Sequence, residues 1–342
     1  MKVAYLAPES RISGGQRVVF QQAVELARRG IEVTVVAPSA EPDWFDLRGV
    51  AWERADFAQS RALAEADAGI ATFWTTVRPA VEHVTGAVFH LCQGYEADFS
   101  FYASQRDEIR AAYALPTRKL AIAPHLARRL QEEGYGDAVL IGQAFSASDF
   151  PFRRDRSFSE ADVSVLVVGL YEADVKGIRE ALEGLRILRD RGARFRVRRI
   201  ATEPMSPPEA SLGMTETYGT NLTTAEMRRS YHGADLLVGP SHPEEGFGLP
   251  VLEALSTGLP VALSDTAGHR YIARDAAAYF ACGRAPAIAE CVGWLLERPA
   301  ERARLSRAGP DEAKRFTTGA VVDRLLSEIR AALEQSGRRA EG

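Results

Sequence analysis

Two rhythms alternate along this chain. Short unbroken apolar runs, such as 2–8 (KVAYLAP) and 31–38 (IEVTVVAP), are separated by segments in which apolar side chains return every three or four positions. The runs predict parallel strands covered on both faces, and the longer segments predict amphipathic helices. The first helix carries Val19, Ala23, Leu26 and Ala27 on one face and closes at Gly30. A loop at Ser13, Gly14 and Gly15 precedes it. Strand, loop, helix and strand in that order open a doubly wound sheet, where ligands bind outside the carboxyl ends of the strands. Residues 40–85 read as loops and short helices around a strand at 69–74. Further strands are predicted in AVFHLCQGYE (87–96), KLAIAP (119–124) and AVLIGQAF (138–145).

The rhythm breaks at FPFRRDRSFSEADV, where charge and serine cluster, and residues 150–162 are taken as a linker. It then restarts with VSVLVVG and a helix bearing Ile178, Leu182, Leu185 and Leu188. Two α/β domains are therefore expected, 1–155 and 156–318. Residues 319–342 would form a last helix, with Val322, Leu325, Leu326, Ile329 and Leu333 on one face, ending in a frayed SGRRAEG tail.

Bulk properties narrow the class. A chain of 342 residues, 46% hydrophobic and 26% charged, suits two globular domains. The net charge of −4 gives no reason to expect nucleic-acid binding. Cys92, Cys282 and Cys291 are too few for a disulfide framework and lack paired metal spacing, so free thiols in the cytoplasm are expected. No run of about 18 apolar residues suggests a membrane span, and MKVAYLAPES is too short an apolar start for a signal peptide.

The chemistry concentrates at 234–265, ADLLVGPSHPEEGFGLPVLEALSTGLPVALSD. LLVG and PVALS predict buried strands. Between them, Pro250 suits a helix start and Gly258 its left-handed end. Unpaired N–H groups at such a start receive anions, and Gly246 and Gly248 allow close approach. Glu245 in the loop, and Glu253 turned outward from the first helical turn, could accept hydrogen bonds from a polyol. A ligand with a central diphosphate and sugars on either side would use both. A lone acid at a helix start is ordinarily a dipole stabiliser. A dinucleotide fingerprint is the other reading, but GFGLPV breaks GxGxxG.

This stretch resembles the signature of glycosyltransferase family 4, retaining enzymes of GT-B architecture, whose two glutamates are separated by seven residues in EGFGLPxLEA. The resemblance implies two Rossmann-like, doubly wound α/β domains facing across a cleft, the first for the acceptor and the second for a nucleotide sugar, with the 319–342 helix packing back on the first. It implies that Glu245 faces the donor sugar, that Phe247, Gly248 and Leu249 line the diphosphate with Gly246 beside them, and that Glu253 holds the ribose. Gly14 and Gly15 would approach the donor diphosphate or the acceptor, and Gly219 to Leu222 would seat the base. Lys176 matches a family lysine that grips the diphosphate. The arginine that precedes it in the family is missing, because Gly169, Leu170 and Tyr171 stand there. Arg179, Arg198 and Arg199 are unranked substitutes. On the acceptor side, QGYE resembles a family Gln-x-Tyr-Glu run, giving Gln93, Tyr95 and Glu96, with His90 as a second claimant.

The implied activity is transfer of a sugar from a nucleoside diphosphate to a hydroxyl of a glycan, lipid or small-molecule acceptor, with retention and with Glu245 and Lys176 as catalytic residues. No metal or other cofactor is expected. The alternatives are a GT-B epimerase or a non-catalytic nucleotide-sugar-binding protein. Some family members touch membranes through a basic helix. Here Arg118, Lys119, Arg128 and Arg129 are interspersed with acids, which favours a solvated face over a weak peripheral contact.

Overall fold

A computed structural model describes residues 1–159 and 162–340. The chain is α/β, with two sheets whose observed strand pairs are all parallel. The first contains β1 (Lys2–Leu6), β2 (Glu32–Ala37), β3 (Val50–Arg54), β4 (Ala68–Ala71), β5 (Ala87–Cys92), β6 (Arg118–Ala121) and β7 (Val139–Leu140). Its order is β3-β2-β1-β4-β5-β6-β7, with Tyr5 set between Val35 and Ile70. The second contains β8 (Val163–Val168), β9 (Phe195–Ala201), β10 (Thr217–Thr220), β11 (Leu236–Gly239), β12 (Val261–Ser264) and β13 (Ala278–Phe280), in the order β10-β9-β8-β11-β12-β13. Strand order reverses between β1 and β4 and between β8 and β11. The loops leaving those strands flank the crevice where such sheets take ligands.

The central strands are buried from end to end, β4, β11 and β12 among them, because helices cover both faces. The Ile178–Asp190 helix buries the four positions that its spacing picks out. Edge strands β3 and β10 were not predicted. They are short and only partly buried, so no apolar run announces them.

The chain divides into two compact units, one made of Met1–Phe145 and the chain from Phe316 onward, the other of Ser146–Arg315. The boundary therefore falls before the expected linker. The described part of that linker packs into the second unit. Phe150 is buried against Tyr231, Ser256 Oγ donates to Phe150 O, and Arg153 and Arg156 donate to carbonyls of His232, Ala234 and Tyr231. Glu160 and Ala161 lie outside the described residues. The last helix, Thr318–Ala340, runs through most of the expected tail, and Glu341 and Gly342 are not described. Within the first unit it is held by Arg324 Nε to Ile141 O (2.6 Å) and Arg29 to Gly319 O (2.9 Å).

Arg118 and Lys119 lie on β6, with Lys119 buried, and Arg129 pairs with Asp98 and Glu133. No described helix is long and apolar enough to cross a membrane.

Candidate functional site

In the second unit the signature forms β11, a loop, the Leu249–Thr257 helix and β12. Gly248 precedes the helix with φ 92°, and no side chain caps it. The left-handed backbone turns the chain into the helix without a Cβ penalty. Pro250 in the first turn has no N–H to satisfy. Gly258 ends the helix with φ 72°. Gly246, Phe247 and Gly248 are buried, with the Phe247 ring edge-on to Tyr271 at 6.4 Å.

Two loops meet at the switch point. The loop leaving β8 carries Lys176, and the loop leaving β11 carries Glu245. His242 N–H donates to Val175 O at 2.8 Å and ties them together. Gly177 allows the approach: its φ is 62°, and a Cβ there would stand 2.3 Å from Pro240 O. The result is an ion pair, Lys176 Nζ to Glu245 Oε2 at 2.6 Å, with side chains 33% and 17% exposed. The two residues named as catalytic under the family resemblance are thus brought together at the carboxyl edge of the sheet, both partly exposed.

Glu253 is a correction. It lies past the first turn, is 3% exposed, and accepts from the Tyr231 hydroxyl at 2.6 Å. From Val251 to Thr257 the helix is buried all round, so no outward face exists for it. Gly219 and Leu222 do come together. Gly219 is on β10, and Leu222 folds back so that a Cβ on Gly219 would lie 3.0 Å from it.

In the first unit, Gly14 and Gly15 are not a loop but the first residues of the Gly14–Arg28 helix. Ser13 caps it, accepting from Gln16 N–H at 3.1 Å. Gly15 faces the Gln93 amide, which would stand 3.4 Å from a Cβ there. Gln93 is the partly exposed member of the acceptor-side set; the others are turned inward. His90 sits within β5, fully buried, 4.5 Å from the Tyr113 ring. Burial, then the Lys119 charge, depresses its pKa to about 3, so it is a neutral core residue. Tyr95 is 2% exposed and its hydroxyl bonds Glu133 and Tyr135. Glu96 accepts from Tyr113 Oη at 2.6 Å, and burial raises its pKa to about 7.

The sequence reading missed the Arg199–Glu209 pair, wholly buried at 2.7 Å, with Arg199 also donating to Val167 O and Gly169 O. The signal was present. In a strand, period-two alternation must turn one of two adjacent arginines, Arg198 and Arg199, inward. It also missed His269, buried beside Gly248, with Nδ1 3.0 Å from Ser264 O.

Comparison with known proteins locates this geometry. Residues 162–298 match the family model Glycosyl transferases group 1. The architecture is that of GT-B glycosyltransferases. A sucrose-phosphate synthase structure from Thermosynechococcus elongatus is similar over 96% of this chain and 98% of its own, at 16% identity and TM-score 0.76. The Anabaena protein HepE in complex with UDP-glucose is similar over 97% and 100%, at 13% identity and TM-score 0.76. Among curated proteins, a D-inositol 3-phosphate glycosyltransferase of Segniliparus rotundus is 32% identical over 37% of this chain and 30% of its own length. A phosphatidyl-myo-inositol mannosyltransferase of Mycobacterium leprae is 26% identical over 59% and 56%. The matched stretch therefore spans about half or less of either relative.

Proposed function

We propose that this protein is a glycosyltransferase that moves a sugar from a nucleoside diphosphate to an acceptor hydroxyl with retention of anomeric configuration. The observation that carries the reading is the Lys176–Glu245 pair at the β8/β11 switch point, beside the glycine-rich start of the Leu249–Thr257 helix. The group 1 match over the second unit and HepE's complex with UDP-glucose support a nucleotide-sugar donor. In the reaction the bond from the anomeric carbon to the diphosphate oxygen breaks, and a bond to the acceptor oxygen forms on the same face. The acceptor proton leaves with the departing phosphate. Charge gathers on that phosphate, so cations and N–H groups already fixed around it lower the barrier. Lys176 and the backbone of Phe247, Gly248 and Leu249 fill this role, and Glu245 orients donor hydroxyls while holding Lys176. Gly219 and Leu222 lie beside the base. Glu253 acts from beneath, by fixing the helix. In the first unit, Gly14 and Gly15 serve the donor diphosphate or the acceptor, and Gln93 serves the acceptor. The acceptor is a glycan, lipid or small molecule, and inositol-type acceptors are suggested by the names of the curated relatives. The three free cysteines suit a cytoplasmic setting.

Incubation with UDP-, GDP- and dTDP-sugars, followed by proton NMR of the anomeric signal, tests this. The reading expects donor consumption and a product of retained configuration. An inverted product would remove the mechanism, and an intact donor with every nucleotide and acceptor would remove the activity.

A further inference from the structure

Five aromatic rings of the first unit gather at the carboxyl edge of its sheet. Phe73 and Trp74 lie just past β4, and Phe99, Phe101 and Tyr102 lie in the segment that follows β5. The Phe99 ring is stacked with Phe101 at 5.4 Å and with Tyr102 at 6.4 Å, the planes 29° apart in each case. Phe73 and Trp74 join the cluster through Tyr102, at 6.2 and 6.5 Å. Four of the rings are half-buried, and Phe101 is 53% exposed. A single exposed phenylalanine is ordinary, but one that extends a cluster of rings marks a recognition surface.

The cluster is continuous with the ligand edge of the unit. The loop leaving β4 flanks the switch point. Gly94, next to the partly exposed Gln93, lets the rings come close, because a Cβ there would stand 3.1 Å from the Phe99 ring. Among the described residues the Tyr102 hydroxyl makes no hydrogen bond. Burial, then the charges of Glu96 and Glu9, raise its pKa, so it stays a donor. The surrounding charge is unsuited to an anionic lipid surface. The helix that follows the rings, Arg106–Tyr113, opens with exposed Asp107 and Glu108. Its arginines are turned back on the protein, Arg106 Nε to Ala97 O at 2.9 Å and Arg110 toward Glu133 at 3.8 Å. Anionic headgroups would therefore meet acids here. A neutral sugar ring would instead lay its C–H face on the negative faces of the rings and offer its hydroxyls to the polar groups at their edge.

We propose that this cluster is a stacking platform for the sugar rings of a neutral oligosaccharide, which makes a glycan the acceptor. The role of acceptor rests on the transfer reading above, whereas the stacking surface does not, and the experiment separates the two. Saturation-transfer NMR of the wild-type protein with maltotriose, cellotriose, mannotriose and chitotriose should show sugar C–H protons of at least one of them in contact with the protein. Titration of that trisaccharide gives its Kd. Phe101→Ala and Tyr102→Ala should each raise that Kd by roughly tenfold, as truncation of an aromatic anchor does, and Phe101→Trp should keep the binding. Trp294, an exposed ring of the second unit, is the control, and Trp294→Ala should bind as wild type does. No trisaccharide contact, or an unchanged Kd in both alanine variants, overturns the platform and leaves the transfer reading standing. Sedimentation with phosphatidylglycerol vesicles that depends on Phe101, in place of glycan binding, overturns it in favour of a membrane. Isothermal titration of UDP, GDP and dTDP into the wild type tests the other half: glycan binding without nucleotide binding supports the stacking surface and removes its role as an acceptor site.

Discussion

The hydroxyl of Tyr231 donates to Glu253 Oε2 across 2.6 Å, with both side chains out of solvent. The second acid of the signature is thereby a structural anchor between the Thr224–His232 and Leu249–Thr257 helices. Tyr231→Phe removes a donor from a buried carboxylate and should cost about 1–3 kcal/mol of unfolding free energy in urea titration. Glu253→Gln keeps an acceptor for the hydroxyl and should cost less. Wild-type stability in Tyr231→Phe would show that the bond contributes nothing.

The Lys176–Glu245 pair should behave in the opposite way. It is partly exposed, and such pairs contribute about 0–1 kcal/mol. Lys176→Ala and Glu245→Gln should therefore melt within a few degrees of wild type while donor turnover falls by about 10²-fold or more. Chromatographic measurement of donor consumption decides the matter, and full turnover by Glu245→Ala would falsify the catalytic assignment.

Gly177→Ala combines a left-handed backbone with a Cβ 2.3 Å from Pro240 O. Gly192→Ala supplies the comparison, because its φ is 94° but nothing stands within 4 Å of the added carbon. The second variant should lose about 1 kcal/mol from backbone strain alone. Gly177→Ala should lose clearly more, and turnover should fall with it because Lys176 is carried on the displaced loop. Equal losses in chemical denaturation would show that the loop yields freely.

Two buried groups near β5 give opposing pH dependences. The Glu96 pKa is raised from 4.5 to about 7, so the folded state holds a proton that the unfolded chain releases. That stability is fully present below pH 4.5, is lost as pH rises toward 7, and amounts to roughly 3 kcal/mol. The His90 pKa is lowered from 6.5 to about 3, so its contribution is present above pH 6.5 and is lost as pH falls. The effects partly cancel in the wild type. Glu96→Gln should expose a stability that declines on acidification from pH 6.5, and His90→Leu one that declines as pH rises from 4.5. Parallel stability–pH curves for the two variants would contradict this.

The sheets were legible where strands are covered on both faces, because LLVG and PVALS leave no polar alternative. β3 and β10 were not, since an edge strand needs no apolar run. The unit boundary was misplaced because charge was read as solvation. Arg153 and Arg156 instead bind backbone carbonyls, and Phe150 enters a core. The resemblance gave Lys176 and Glu245 to one donor site, but not their ion pair, which depends on Gly177, whose role only the folded chain reveals. Glu253 could have been placed correctly from its neighbours. Residues 251–257 form a mostly apolar run, and a helix apolar on nearly every side has no outward face.

The ownership of the last helix has a consequence for how the protein is made. Residues 146–315 interrupt the first unit between its main body and its closing element. During synthesis the second unit emerges complete while the first still waits for the segment that Arg29 and Ile141 will hold. Loss of the chain beyond Arg315 would therefore injure the half made first and spare the half made later.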